Sequence, residues 1–517
     1  MFERNGEKYV ATLDVGTTTL RCLIVNSKAE IVGSASTGMK LVYPQPGFVE
    51  IDPDVLWEDV MDVIKEAISS ASLSAADVSC IGISTQRGTF ITWRKDTGKH
   101  FHNFITWKDM RSLSLVKEWN NSIAMKSLRS SAYMLYLLTR NKRWLAGSNL
   151  MLNSTQTTLR LMWMYEDIPE LRGQTVINNV MFGTLDTWLL YKFTSGRTYA
   201  TDYTNASATG FFDPFVLDWS SWAHTILKLP KNILPPIVNN DYDIGSTSEH
   251  IFGASIPIKC VIADQQASMF GSCCFTNEIL KVTLGTGSFL DIQTNVPHGS
   301  CNGLYPLIAR ILKDKIYYTA EGSCNDTGSL IQWALTNGLV KDAKEIAPLV
   351  MSVDSNDGVY FVPAFSGLGY PFCDDKTASG FLGIKPTTKK AHMLRAILES
   401  IVFRIVLQYE LMKKEIKNEI ETIYVDGGVS NNEFVCQLLA DMSRLPVEKP
   451  RCSEMSAMGA AFIAGLNQGI WDSAQDIIAL RDVEKTYIPT THYEVVKRNR
   501  AELEKWTQVC HRFKTWY

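Results

Sequence analysis

The order of apolar and polar residues divides this chain into two similar halves. Residues 9–25 carry two apolar runs, Y-V-A-T-L-D and T-L-R-C-L-I-V, on either side of V-G-T-T, the pattern of two strands folded on a turn. Residues 279–294, I-L-K-V-T-L-G-T-G-S-F-L-D-I-Q-T, repeat that pattern. One such hairpin at the start of each half predicts a duplicated architecture with one phosphate-binding loop per domain. The boundary is set near Gly271, giving domains 1–271 and 272–517. Residues 57–70 and 392–414 have helical spacing, whereas 80–84 and 423–425 read as buried strands, so both halves predict an α/β fold. Near the end, Tyr493, Val496, Leu503, Trp506, Cys510 and Phe513 fall on one helix face. That helix is expected to dock on the body of the protein, since its polar face mixes Glu494, Glu502 and Glu504 with Lys and Arg, unlike a membrane-binding tail.

Composition adds bounds. A chain of 517 residues exceeds what one core usually supports, which agrees with two domains. A net charge of -3 disfavours nucleic acid as a partner, because phosphate binding needs a basic face. Between Trp119 and Tyr165 there is no Asp or Glu, while Lys126, Arg129, Arg140, Lys142, Arg143 and Arg160 flank the apolar run 132–138. This segment reads as a solvated helical insertion; docking to a protein partner or an anionic membrane stays open, as does a homodimer. The eleven cysteines are scattered, with no C-x-x-C, which predicts reduced thiols. The first residues, M-F-E-R-N-G-E-K, lack the apolar core of a secretory signal, and no apolar run reaches membrane-spanning length. A cytoplasmic protein without a transmembrane anchor is expected.

Four motifs offer chemistry. Asp14-Val15-Gly16-Thr17-Thr18-Thr19, followed by Arg21, can bring backbone N–H groups and hydroxyls to anionic oxygens, and its carboxylate can hold Mg²⁺ through water. Leu284-Gly285-Thr286-Gly287-Ser288 suits a second phosphate cradle; it fits neither the dinucleotide fingerprint nor a P-loop. Asp264 closes an apolar strand and precedes Gln265 and Gln266; taken alone it reads first as a helix N-cap, and it also suits a base that takes a hydroxyl proton. Asp426-Gly427-Gly428, with Asn432 downstream, leaves room for a flat base or ribose, or forms an ordinary strand-to-helix turn.

The order D-V-G-T-T, G-I-S-T-Q-R, W-K-D-M-R, D-T-W-L, T-D-Y-T-N-A-S, A-D-Q-Q-A, G-T-G, P-A-F-S-G-L-G and D-G-G resembles the FGGY carbohydrate kinases, and among them the glycerol kinases, from about Val10 to about Gly465. The resemblance implies two actin-like (ribonuclease H-like) ATPase domains with the nucleotide and substrate cleft between them. It implies ATP and Mg²⁺ as cofactors and a polyol as acceptor, glycerol first, giving sn-glycerol 3-phosphate. By position, Asp14 would hold Mg²⁺, with Thr17, Thr18, Thr19 and Arg21 around the phosphates. Thr286, Gly328 and Gln332 would line the nucleotide, and Gly428 and Asn432 would lie near the adenosine. Arg87, Trp107, Asp264, Gln265 and Phe289 would hold the polyol, with Asp264 as the base. Glycerol kinases show N-Q-R-E where this chain has Thr85-Gln86-Arg87-Gly88, and Thr155 takes the place of a substrate-contacting Tyr. Loss of a charged acceptor there costs about 1.5–3 kcal/mol of polyol binding. Space at Gly88 and Thr155 would admit a longer polyol or ketose, and a nucleotide-binding regulator is the remaining alternative.

Overall fold

The computed structural model describes residues 7–300 and 302–517. Most of the N-terminal stretch read for a secretory signal, residues 1–6, and Cys301 among the cysteines lie outside the described residues. The first sheet contains β1 (Tyr9–Val15), β2 (Thr19–Asn26), β3 (Ile31–Gly38), β4 (Val78–Thr85) and β5 (Ile258–Ala263), in the order β5-β4-β1-β2-β3. β1, β2 and β3 are antiparallel neighbours, while β4 and β5 run parallel to β1. The central strands bury both faces and are accordingly apolar nearly throughout: all of β1 except Asp14 is buried.

The second half repeats this topology. β6 (Ile279–Leu284), β7 (Ser288–Thr294), β8 (Tyr305–Leu312), β9 (Lys315–Cys324), β10 (Thr422–Asp426), β11 (Val447–Pro450) and β12 (Val483–Tyr487) stand in the order β8-β9-β7-β6-β10-β11-β12. β6, β7 and β9 correspond to β1, β2 and β3, and β10 and β11 lie parallel to β6 as β4 and β5 do to β1. The duplicated hairpins of the sequence are therefore the centres of two equivalent sheets.

Helices cover the sheets. α1 (Pro53–Ser70) is capped by Asp52, whose side chain accepts from the N–H groups of Asp54 and Val55, and packs on the first sheet. The acid-free segment folds as α2 (Leu113–Asn121), α3 (Ile123–Thr139), α4 (Lys142–Ser148) and α5 (Thr157–Asp167), a helical insertion as expected. One of its cations is not solvated: Arg160 is fully buried, with hydrogen bonds to the carbonyls of Ile105, Thr106, Gly88 and Thr155. After β5 comes α6 (Asp264–Gly271), and the second half adds α7 (Gly328–Thr336), α8 (Lys390–Ile416), α9 (Glu433–Ser443), α10 (Met455–Asn467) and α11 (Tyr493–Phe513). α11 docks on the body through buried Leu503, Trp506, Val509 and Cys510, with the Trp506 indole donating to the carbonyl of Phe361 at 2.7 Å.

α10 joins the halves. Its residues share a buried cluster with Val10, Leu23, Cys80, Ile262 and Phe270 of the first half, and the Thr12 hydroxyl donates to the carbonyl of Ala457 at 2.8 Å. α6 and α10 approach closely enough that a Cβ on Gly459 would lie 1.8 Å from the Ala267 carbonyl oxygen, and one on Gly271 would lie 2.3 Å from that of Met455. Only glycine permits this contact. Among the described residues no helix is long and apolar enough to cross a membrane.

Candidate active site

The turns of both hairpins and the end of β5 open on one cavity of about 500 Å³ between the halves. Thr17, Thr18, Arg87, Trp107, Asp264, Gln265, Thr286 and Phe289, widely separated in sequence, all line it. The first turn is closed by the Gly16 N–H donating to Thr19 O at 3.0 Å, and it is fixed to β4 by the Gln86 N–H donating to Val15 O at 2.8 Å. The Trp107 indole donates to the Thr17 hydroxyl at 2.9 Å, which ties the segment around Trp107 to the first turn.

Asp264 begins α6 directly after β5. Ala263 occupies the N-cap position, so the carboxylate is not spent on capping; its Oδ1 accepts only from the N–H of Gln265, at 2.8 Å. Burial pushes its pKa up to about 7, against the pull of Arg87, whose Nε lies 3.9 Å away. The backbone leading to it is held from the T-D-Y-T motif: the Ala263 N–H donates to the Thr204 hydroxyl at 2.8 Å, and that hydroxyl in turn donates to Asp202. Asp202 also accepts from the N–H groups of Thr204 and Asn205. Asp186 of D-T-W-L accepts from the hydroxyls of Thr184 and Thr201. These two motifs thus form a buried scaffold behind the site.

Arg87 is held by three groups. Its Nη1 pairs with Glu321 at 2.6 Å, its guanidinium carbon lies 5.3 Å from the centre of the Phe289 ring, and Asp264 completes the set. Burial works against this cation, but Glu321 and Asp264 more than offset it and raise its pKa. Glu321 comes from β9 of the second half and was not singled out in the sequence. Its signal was there: a carboxylate in an apolar strand, T-A-E-G, which is 5% exposed and faces the cavity. Arg404 of α8 was missed in the same way; it too is 5% exposed and lines the cavity.

Gly88 and Thr155, where room for a larger acceptor was expected, both line the cavity. Gly88 has φ +70°, and a Cβ there would lie 3.1 Å from the Thr155 carbonyl oxygen and 3.5 Å from the Arg160 guanidinium. Arg160 binds the carbonyls of both residues, so this wall of the pocket is backbone, tied by a buried cation.

At the first turn Asp14 lies at the end of β1, paired in register with Ser84 and Arg21. Burial raises its pKa to about 6, opposed by the Ser84 hydroxyl and by Arg21, and among the described residues its buried Oδ1 has no hydrogen-bond partner. An unpartnered hard oxygen fits Mg²⁺, which takes one or two carboxylates beside phosphate oxygens and keeps its waters. Arg21 does not face the cavity; it is paired with Glu454 at the start of α10. The second turn is joined to α7, with the Gly328 N–H donating to Gly285 O at 2.9 Å and the Ser329 N–H to Thr286 O at 3.2 Å. Gly427, with φ +83°, lies against Leu284 O, and Gly428 beside it has open space over its Cα. Gln332 and Asn432 lie outside the central cavity; Asn432 caps α9 by accepting from the Val435 N–H at 3.3 Å.

Proteins of known type resemble this chain in sequence and in fold. Residues 9–271 match the N-terminal domain, and residues 280–467 the C-terminal domain, of the FGGY family of carbohydrate kinases. The chain is 43% identical to glycerol kinase 5 of Danio rerio, covering 100% of this chain and 99% of that protein. It is also 43% identical to glycerol kinase 5 of Homo sapiens, over 98% of this chain and 96% of that one. Among solved structures, Plasmodium falciparum glycerol kinase with ADP superposes with a TM-score of 0.85 at 27% identity, covering 98% of each chain. With both domain matches covering most of its length and a shared two-sheet architecture, the chain belongs to the FGGY family of carbohydrate kinases, phosphotransferases with an alcohol acceptor.

Proposed function

We propose that this protein is a cytoplasmic kinase that transfers the ATP γ-phosphoryl group to a terminal hydroxyl of glycerol, giving sn-glycerol 3-phosphate. The observation that carries the proposal is Asp264, a carboxylate raised to about 7 that faces a cavity bounded by both Gly-Thr turns. Such a group is about half ionised at neutral pH and a carboxylate above it, and basic enough to take the proton as the hydroxyl attacks. The glycerol kinase relatives support the acceptor. Domains 1–271 and 272–517 then face each other across the reacting groups.

Arg87 orients the acceptor hydroxyls, Trp107 and Phe289 provide apolar walls for the carbon chain, and Gln265, whose Oε1 is buried without a partner, accepts from a hydroxyl. Glu321 supplies the acceptor carboxylate that Gly88 lacks. Thr17, Thr18, Thr19 and Thr286 donate to the phosphates; Gly328 and Gln332, and then Gly428 and Asn432, border the adenosine. Asp14 would hold Mg²⁺. That ion supplies neutralisation of charge on the phosphate oxygens.

The test is mass spectrometry of purified protein with ATP and a panel of polyols, trioses and pentuloses. Phosphorylated glycerol above the level given by Asp264→Asn is expected. Product from a larger sugar and none from glycerol would reassign the acceptor, and equal product from both proteins would remove Asp264 from the reaction.

A further inference from the structure

α3 and α4 form a helical hairpin clamped at its base, where the Asn120 amide donates to Leu152 O at 2.8 Å and accepts from the Leu152 N–H at 3.0 Å. Within α3 only Met125 and Ala132 are buried. Its last turns instead expose Tyr133 (50%), Met134 (59%), Leu135 (38%), Leu137 (40%) and Leu138 (78%), five large apolar side chains in six positions. A helix that merely covered a core would keep such residues on the buried stripe. At 100° per residue these positions sweep about 200° of the circumference, wider than the i, i+3, i+4, i+7 stripe that a protein groove receives.

The charges around the patch have one sign. Lys126, Arg140 and Lys142 are exposed and, among the described residues, have no carboxylate within ion-pair distance. Arg143 is neutralised by Asp213 at 2.8 Å, and Arg129 is occupied by the Asn120 carbonyl and the Met151 sulfur. Glu118 before the hairpin and Glu166 and Asp167 after it are the nearest acidic residues in sequence. A two-fold contact between copies would set these cations against their own images, with no carboxylate in the segment to compensate. Tyr133, Tyr136 and Trp144 add the amphipathic rings that favour a headgroup layer, and the Arg140 guanidinium lies 5.8 Å from the Tyr136 ring centre.

We infer that the α3–α4 hairpin is a membrane-surface anchor, which seats Tyr133, Met134, Leu137 and Leu138 in the headgroup layer of an anionic lipid leaflet while Lys126, Arg140 and Lys142 meet the lipid charges. The loop at the base of the hairpin, residues 153–156, walls the catalytic cavity, so docking holds the acceptor pocket beside the membrane.

Sedimentation of the full chain with phosphatidylcholine vesicles, with and without phosphatidylserine, tests this. Pelleting is expected with the phosphatidylserine vesicles, about tenfold above phosphatidylcholine alone and falling as salt is raised. Met134→Glu/Leu138→Glu and, separately, Lys126→Glu/Arg140→Glu/Lys142→Glu should each cut the pelleted fraction about tenfold, with thermal unfolding and kinase activity in solution unchanged. Absence of pelleting by wild type, or equal pelleting by either variant, overturns the inference. So does gel filtration that shows a wild-type dimer dissolved by Met134→Glu/Leu138→Glu while vesicle binding is absent, which would make the patch a contact between copies.

Discussion

Asp264 gathers in one side chain the conditions for a base at neutral pH: burial, one cation at the edge of ion-pair range, and a backbone fixed from Thr204. Asp264→Asn should lower kcat about a hundredfold to ten-thousandfold and leave ATP binding unchanged, measured by steady-state kinetics and nucleotide titration. In the wild type, kcat/KM should rise with pH through an apparent pKa near 7, the pH at which the carboxyl loses its proton, and this limb should vanish in the variant. The linked stability has the opposite sign. Because the folded-state pKa lies above the unfolded value of 3.8, the protonated carboxyl contributes stability that is fully present below that value and lost as pH rises through about 7. Glu321→Gln removes the carboxylate facing Arg87; KM for the polyol should rise about tenfold to a hundredfold with KM for ATP unchanged. At this scale the sequence disclosed residues that stand in short local phrases, such as Asp14 and Asp264. It did not disclose Glu321, whose partner Arg87 is more than two hundred residues away and on the other sheet.

Elements with a strong period were legible, and those defined by their neighbours were not. The two hairpins, α1, α8 and α11 follow from alternation and helical spacing, because each buries one face or both against a sheet. The apolar run 132–138 was read inside a solvated helical insertion, and the structure exposes most of it; periodicity reveals a face without revealing what covers it. Arg160 misled in the other direction: it counted as a surface charge but ties Gly88 and Thr155 together inside the protein. The contact of α6 with α10 was invisible for a similar reason, because Gly459 and Gly271 look like ordinary helix glycines until their helices meet. Gly459→Ala forces a methyl into the Ala267 carbonyl and should destabilise the protein by about 1–3 kcal/mol, read from the urea midpoint.

Among the described residues two ion pairs join the halves: Arg87 with Glu321 inside the cavity and Arg21 with Glu454 beside it. The second holds Arg21 away from the cavity, and on the phosphate role proposed for Arg21 nucleotide binding would compete with it. Both of its side chains are about a quarter exposed, which limits such a pair to roughly 1 kcal/mol. Glu454→Gln should therefore lower KM for ATP by no more than about fivefold, and Arg21→Ala should raise it. The crossing of α6 and α10 has a mechanical meaning as well. Where backbone meets backbone there is no layer of side chains to slide or compress, so the helices resist shear and separation far more than they resist turning. The two halves are therefore held at a fixed spacing where α6 crosses α10.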